Sequence, residues 1–142
     1  MSGSFDLDRF MHAQGPVMAQ VRAELKAGRK TTHWMWFVFP QLAGLGSSHY
    51  AQLYAISSLD EAKAYLAHPV LGPRLIECTG LVNVVDGRTA HDIFGSPDDL
   101  KFHSSMTLFA LAVPDEPAFG AALSKYFGGK RDSRTLDLLG RT

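Results

Sequence analysis

The sequence predicts a mostly α fold, a single compact helical domain of about six to eight helices with at most a minor strand near Trp34–Phe39. About six segments combine a helix start signal with an apolar stripe of helical spacing. Proline and glycine stand where these segments begin or end. The run Trp34–Phe39 is continuously apolar and fits either a buried strand or a buried helix. We therefore expect helix over more than half of the residues and no sheet of three or more strands.

Two helices are predicted before residue 28. Asp6 is placed to cap the first helix, which Gly15 ends, and Pro16 opens the second helix, which Gly28 ends. The apolar stripes of these two helices are Leu7, Phe10 and Met11, followed by Met18, Val21 and Leu25.

Two longer helices are predicted in the middle of the chain. Ser58 and Glu61 have the spacing of a capping box, and His68-Pro69 ends the helix that they begin. Pro73 is tolerated in the first turn of the next helix, which ends before Gly87. The apolar stripes are Leu59, Ala62 and Leu66, followed by Leu71, Leu75, Cys78 and Val82.

Four more helical segments are predicted after residue 88. A short capped segment runs over 89–95, and a longer helix follows with Ser96 as N-cap and Pro97 as its first residue. Pro117 opens another helix, and a last short helix covers about 133–139. We expect one core to contain residues from the apolar stripes of two predicted helices: Leu75 and Val82 from the helix that contains Pro73, and Phe102, Met106 and Phe109 from the helix that Pro97 opens.

Length and composition favour one globular domain over residues 1–142, with residues 1–4 as a disordered tail. The chain is 46% hydrophobic and 20% charged, as in a globular protein. Fourteen basic residues balance fourteen acidic ones, so net charge does not draw the chain to nucleic acid or to a membrane. We expect a monomer, although no sequence feature determines the oligomeric state.

Cysteine use and the start of the chain favour the cytoplasm. Cys78 is the single cysteine, so an internal disulfide is excluded and a reducing compartment suits the protein. The first residues are acidic where a secretion signal is basic and then apolar, and no apolar run has the length of a membrane helix.

The segment 28–41 is the strongest candidate for a functional site. It places Lys30 and His33 directly before Trp34 and Trp36, and Gln41 follows. Aromatic surface beside basic groups is one way to hold an organic anion, and it is equally what the edge of an ordinary core contains. His33 is the histidine of interest because it lies between Lys30 and the two tryptophans.

A second candidate lies in the predicted helix that begins near residue 97. Asp98, Lys101 and Ser105 share one side of that helix. Ser104, Ser105 and Thr107 are poor choices for a helix interior, because their hydroxyl groups compete for backbone hydrogen bonds. These hydroxyl groups therefore face a polar cavity or a neighbouring helix, unless the pattern reflects only packing beside a surface ion pair.

The remaining patterns carry weaker signals. Gly44 to Tyr50 is either a backbone site for an anion or a turn with a serine cap. The six histidines are scattered, so we predict no metal site and no cofactor, and Cys78 is better explained as a core residue than as a nucleophile. Two basic clusters are first interpreted as solvated faces: Arg22, Lys26, Arg29 and Lys30, and then Lys125, Lys130, Arg131 and Arg134.

Several blocks of the chain match a known family. They include Gly28-Arg29-Lys30, His33-Trp34-Met35-Trp36, Phe39-Pro40-Gln41, Gly44-Leu45-Gly46, His68-Pro69-Val70-Leu71-Gly72-Pro73-Arg74-Leu75, Ile93-Phe94-Gly95, Asp98-Asp99-Leu100-Lys101 and Ser104-Ser105-Met106-Thr107-Leu108-Phe109. In these blocks the chain resembles the bacterial family called domain of unknown function 1810, over Phe5 to Leu139. The resemblance implies a small helical single-domain protein and no particular activity, and we attach no weight to the name calpastatin that is sometimes given to members.

Three functions remain open at this point. The first is a binding or catalytic pocket for a small anionic ligand, phosphorylated or nucleotide-like. The second is a protein-interaction module that uses the aromatic and basic residues, and the third is a nucleic-acid accessory protein that uses the two basic clusters. Whether the protein is an enzyme is left open; if it is, His33 is the candidate acid or base, and Asp98 or Asp99 its carboxylate counterpart. The candidate ligand-binding residues are Lys30, His33, Trp34, Trp36, Gln41, Arg74, Lys101, Ser104 and Ser105.

The first hypothesis also predicts a contact between distant parts of the chain. We expect the segment from Lys30 to Gln41 to meet the helix from Asp98 to Phe109. Lys30 and Lys101 would need acidic partners or a ligand anion near them, because burial of an unpaired cation is unfavourable.

Overall fold

The computed structural model describes residues 5–140, of which 64% are helical, and within this range it contains no β-sheet. The fold class is therefore confirmed as a single compact helical domain, and the predicted disorder of residues 1–4 lies outside the described residues. The helices are α1 (Asp8–Gln14), α2 (Met18–Lys26), α3 (Met35–Val38), α4 (His49–Leu53), α5 (Leu59–Ala67), α6 (Leu71–Asn83), α7 (Ala90–Phe94), α8 (Asp98–Ala112), α9 (Pro117–Phe127) and α10 (Ser133–Leu138).

The ambiguous apolar run forms a single helical turn, α3, and not a strand. The backbone N–H of Val38 donates to the carbonyl of Trp34 over 3.2 Å, and that of Phe39 donates to Met35 over 3.1 Å. Trp34, Met35, Val38 and Phe39 are buried, whereas Trp36 and Phe37 are half-buried. The β-structure in the described residues is one isolated parallel bridge, between Leu42 and Ile56.

Helix α8 forms the centre of the domain. It packs against α5, α7, α9 and α10. Helices α5 and α9 also contact α6, and α6 in turn contacts α2. The five residues that were predicted to share one core are all buried in the same cluster: Phe102, Met106, Phe109, Leu75 and Val82. The short helix α7 lies against the N-terminal half of α8 and connects it to the end of α6.

Most predicted helix starts are confirmed, but two caps are wrong. Ser58 accepts a hydrogen bond from the backbone of Glu61, and Thr89 begins α7 with a complete capping box. Ser96 does not cap α8, because the first turn closes on the carbonyl of Pro97 and α8 begins at Asp98. Asp6 does not cap α1 either, since Leu7 is the residue before the helix and no side chain accepts a hydrogen bond there.

A buried carboxylate on α2 organises the segment that leads to α3. The side chain of Glu24 accepts hydrogen bonds from the backbones of Thr31 and Thr32, from the Thr32 hydroxyl, from the Trp34 indole and from Gln20, over 2.6 to 3.1 Å. Burial alone would raise the pKa of Glu24, but these hydrogen bonds outweigh it and lower the pKa from 4.5 to about 2. The charged carboxylate therefore fixes the position of Trp34.

Between residues 5 and 140, the helices are all too short or too polar to cross a membrane.

Candidate functional site

Two lysines from distant parts of the chain share one carboxylate. Lys30 Nζ lies 2.8 Å from Asp98 Oδ2, and Lys101 Nζ lies 3.4 Å from Asp98 Oδ1. The predicted meeting of the tryptophan segment with α8 is therefore confirmed. Each ammonium also lies near an indole ring, Lys30 at 5.2 Å from the centroid of Trp34 and Lys101 at 5.1 Å from that of Trp36. Because one carboxylate faces two ammonium groups, the cluster carries a net positive charge.

The two lysines differ in their access to solvent. The side chain of Lys30 is 7% exposed, and the backbone N–H of this residue donates to the carbonyl of Ile93 over 2.7 Å. The side chain of Lys101 is 22% exposed and lines a cavity. Lys30 therefore holds Asp98 in place from inside the protein, and Lys101 is the lysine that a ligand can reach.

The cavity beside Lys101 has a volume of about 500 Å³, within the range of small-molecule sites. We call it the α8–α10 cavity, because α8, the start of α10 and the segment after α3 form its walls. It contains two cationic side chains and several hydroxyl groups, and the larger part of its surface is apolar. Its lining residues are Gln41, Leu45, Gly46, Ser47, Pro97, Leu100, Lys101, Ser104, Asp132, Ser133 and Arg134.

Hydrogen bonds fix the wall that follows α3. The hydroxyl of Ser104 donates to Gln41 Oε1 over 2.8 Å and also lies 3.0 Å from the carbonyl of Lys101. The backbone N–H of Ile56 donates to the carbonyl of Gln41 over 2.9 Å, and that of Ala43 donates to Ile56 over 2.8 Å. The Ser104 bond holds the irregular segment after α3 against α8, and the two backbone bonds hold it against the segment between α4 and α5.

A second group of contacts attaches the wall that leads into α10. The backbone N–H of Asp132 donates to the Thr107 hydroxyl over 2.9 Å. His103 Nε2 lies 2.8 Å from the carbonyl of Lys130, and the His103 ring stacks on Phe127 with centroids 4.0 Å apart. Thr107 and His103 both belong to α8, so the central helix positions both walls of the cavity.

An aromatic groove of about 510 Å³ lies on the other side of Trp36. In it, the ring centroids of Trp36 and Tyr50 are 5.2 Å apart, and those of Phe37 and Tyr54 are 5.3 Å apart. Tyr50 is 52% exposed, which leaves much of its ring open to the groove and to solvent. The lining residues are Ala13, His33, Trp36, Phe37, Tyr50 and Tyr54.

A small gap of about 10 Å³ adjoins both the groove and the cavity. Trp36 and Tyr54 line the gap and the groove, whereas Gln41 and Lys101 line the gap and the α8–α10 cavity. The aromatic surface and the cationic cavity are therefore neighbours, with Trp36 and Lys101 in contact at their boundary.

The structure brings together some of the predicted site residues and separates others. Gln41, Lys101 and Ser104 line the α8–α10 cavity, and His33 and Trp36 line the aromatic groove. Four others lie elsewhere: Lys30, Trp34, Arg74 and Ser105.

Lys30 is held inside the protein by Asp98, and the contacts or burial of the other three residues explain their positions. Trp34 is 1% exposed and donates its indole N–H to Glu24 over 3.0 Å, so it has no ring face to offer to a ligand. Ser105 is completely buried, and its hydroxyl has no hydrogen-bond partner among the described residues. Arg74 donates to the side chain of Gln14 over 3.4 Å and lines none of these spaces.

The candidate acid–base pair is not assembled in the structure. His33 is exposed at the groove, and in the described part of the chain it forms no ion pair with Asp98 or Asp99. Asp98 is held by the two lysines, and Asp99 Oδ2 lies 3.5 Å from Nδ1 of His91. The geometry therefore gives His33 no carboxylate partner.

The sequence analysis does not predict that the start of α10 forms a wall of the cavity, nor that Tyr50 and Tyr54 line the groove. Arg134 had been assigned to a solvated basic cluster, and nothing in its local sequence distinguishes it from Arg131. Tyr50 and Tyr54 stand four residues apart, a spacing that places two side chains on one face of a helix. That spacing was the available signal for the groove.

Protein partners engage members of both basic clusters. In the first cluster, Arg22 pairs with Glu77 at 3.1 Å and Lys30 pairs with Asp98 at 2.8 Å. In the second, the ammonium of Lys125 keeps its charge but donates to the carbonyls of Asn83 and Val85 over 2.6 Å each.

Cys78 is a core residue. It is completely buried, and burial, with a smaller contribution from the charge of Glu77, raises the pKa of its thiol to about 12. Across residues 5–140, no three histidine, cysteine or acidic side chains come together in a way that would hold a metal ion.

Comparison with known proteins extends over nearly the whole chain. Residues 4–139 match the model of the family described as "Protein of unknown function (DUF1810)". The chain is 63% identical to the conserved hypothetical protein Rv1873 from Mycobacterium tuberculosis, whose crystal structure it matches with a TM-score of 0.95 over 97% of this chain and 99% of that one. No curated protein matches the sequence significantly.

Proposed function

We propose that this chain, which belongs to the DUF1810 family, binds a small anionic ligand in the α8–α10 cavity. The observation that carries the proposal is the position of Lys101. Its ammonium shares the Asp98 carboxylate with Lys30 and lines a cavity that also contains Arg134.

Electrostatics supports an anion at this place. Asp98 is closer to Lys30, at 2.8 Å, than to Lys101, at 3.4 Å. When a ligand anion pairs with Lys101, Asp98 therefore keeps a buried cationic partner, and no charge is left unpaired. Asp132 is the one acidic residue on the cavity wall, and its Oδ2 atom already accepts two hydrogen bonds from Thr135 at the start of α10.

The other lining groups suit an organic anion. The side chains of Gln41, Ser47 and Ser133 offer hydrogen-bond donors. Leu45, Pro97 and Leu100 add apolar surface for the uncharged part of a ligand. The single buried cysteine suits the reducing cytoplasm, which is where we expect this binding to occur.

We expect the replacement of Lys101 by methionine to abolish the thermal stabilisation that small anions give the protein. A ligand at about a hundred times its dissociation constant adds about 2.7 kcal/mol to stability, and the variant should lose this increment. The unliganded melting temperature should change little, because Asp98 keeps Lys30. The measurement is a thermal-shift titration with inorganic phosphate, ribose 5-phosphate and small carboxylates at constant ionic strength.

Lys63→Met is the matched control, because Lys63 is exposed on α5, outside the cavity lining. Trp34→Ala should lower both the unliganded melting temperature and the stabilisation, since Trp34 is buried beside Lys30. Failure of every anion to stabilise the wild-type protein, or equal stabilisation of the Lys101→Met variant, would contradict the proposal.

The two alternative functions have less support. The aromatic side chains line a groove and not a flat patch, which suits a small molecule better than a protein surface. Arg22 and Lys125 are occupied by protein partners, which weakens the case for a nucleic-acid surface.

A further inference from the structure

We infer that the anion is the phosphate of a nucleotide, whose base lies on the aromatic groove while the phosphate lies in the α8–α10 cavity. This inference rests on the proposed function and names the class of ligand and its orientation.

The positions of the two spaces carry the inference. The Trp36 ring is 5.2 Å from the Tyr50 ring on the groove side, and its centroid is 5.1 Å from Lys101 Nζ on the cavity side. The gap between groove and cavity is lined by residues of both. Lys101 Nζ therefore lies over an indole ring that also lines the groove, so that an aromatic surface and a cation are both available to one nucleotide.

The groove suits a planar ring. Trp36, Phe37, Tyr50 and Tyr54 supply aromatic surface, and the Tyr50 and Tyr54 rings are nearly parallel, with an interplanar angle of 19°. Bases stack on aromatic side chains with little dependence on base identity, because every base has a π face. His33 adds ring nitrogens at the same groove, where they can contact the polar edge of a base.

The cavity suits a phosphate more than a carboxylate. Lys101 and Arg134 supply two cationic groups for a phosphate monoester, and Asp132, the acidic residue of the lining, is engaged by Thr135. The guanidinium of Arg134 can donate two parallel hydrogen bonds to phosphate oxygens, and Ser133 supplies a hydroxyl donor for a third oxygen.

The experiment compares ribose 5-phosphate, adenosine and the four ribonucleoside 5′-monophosphates by isothermal titration calorimetry at constant ionic strength. The proteins are the wild type and the variants Tyr50→Ala and Leu53→Ala. Leu53 is the matched control, since it is exposed on α4 like Tyr50 but does not line the groove. Each nucleotide should bind the wild type roughly tenfold or more tightly than ribose 5-phosphate.

Tyr50→Ala should remove most of the difference in affinity between nucleotides and ribose 5-phosphate, and it should leave the affinity for ribose 5-phosphate unchanged. Leu53→Ala should bind all of these compounds as the wild type does. If ribose 5-phosphate binds but nucleotides bind no more tightly, or if Tyr50→Ala keeps the full advantage, the inference is overturned and the proposed function stands. If small carboxylates bind the protein and no phosphate compound does, the inference is likewise overturned and the proposed function stands. If no anion binds, both proposals fail.

Discussion

Replacing Phe109 by alanine is expected to lower the free energy of unfolding by about 3–5 kcal/mol. Phe109 is completely buried in the central helix α8, and its ring centroid lies 5.4 Å from that of Tyr65 and 5.8 Å from that of Phe119. The substitution removes apolar contacts on both sides of α8, and the packed helices around it cannot close the space fully.

Urea denaturation followed by circular dichroism measures this change. Leu100→Ala is the control, because Leu100 belongs to the same helix but is 63% exposed, and we expect it to change stability by less than about 1 kcal/mol. A loss of less than about 1 kcal/mol for Phe109→Ala would show that this face of α8 is not the core face.

Glu24→Gln is expected to destabilise the protein at neutral pH by roughly 3 kcal/mol. The pKa of Glu24 is lowered from 4.5 to about 2 in the folded protein, and each pKa unit corresponds to about 1.4 kcal/mol. Glutamine has one oxygen in place of two and brings an amide that faces the donors of Thr31, Thr32 and Trp34.

The same carboxylate predicts a pH dependence. Because the folded pKa lies below the unfolded one, the stabilisation is fully present above about pH 4.5 and is lost as the pH falls towards about 2. Stability should be measured by urea denaturation between pH 7 and pH 2.5 for the wild type, Glu24→Gln and Glu77→Gln. Glu77 is the matched control, since its side chain is 46% exposed in a surface pair with Arg22.

The difference in stability between wild type and Glu24→Gln should shrink as the pH falls through this window. A difference that stays constant down to pH 2.5 would mean that the charge of Glu24 is not what stabilises the fold, and that the substitution acts through packing alone.

Helices were predictable here because their signals are local. Ser58 and Thr89 each accept a hydrogen bond from the first turn of the helix that they begin. The apolar residues of α6 have helical spacing in the sequence itself, independent of the helices that pack against them. The structure of Trp34–Phe39 was not predictable, since a short apolar run has no period that separates strand from helix. Ser96 is not the cap because α8 begins one residue later than predicted, with the carbonyl of Pro97 accepting the hydrogen bonds of the first turn.

The candidate site was predictable only in part. The meeting of Lys30 with Lys101 followed from a physical need, since buried cations require a carboxylate and Asp98 was the nearest available. Which of the two tryptophans lines the groove was not predictable, because Trp34 is held in the core by a hydrogen bond to Glu24 of α2, a residue ten positions earlier in the chain. The role of Arg134 depends on where α10 docks, which the hydroxyl of Thr107 and the ring of His103 determine.

The attachment of residues 130–134 to α8 has a consequence for the protein during its synthesis. The walls of the cavity come from the segments 41–47, 97–104 and 132–134, which leave the ribosome in that order. A nascent chain that has already folded α8 still lacks one wall until residue 134 has emerged and Asp132 has met Thr107. A shortened product that ends before residue 132 would therefore keep the buried apolar residues up to Leu123 and lack one wall of the proposed binding site.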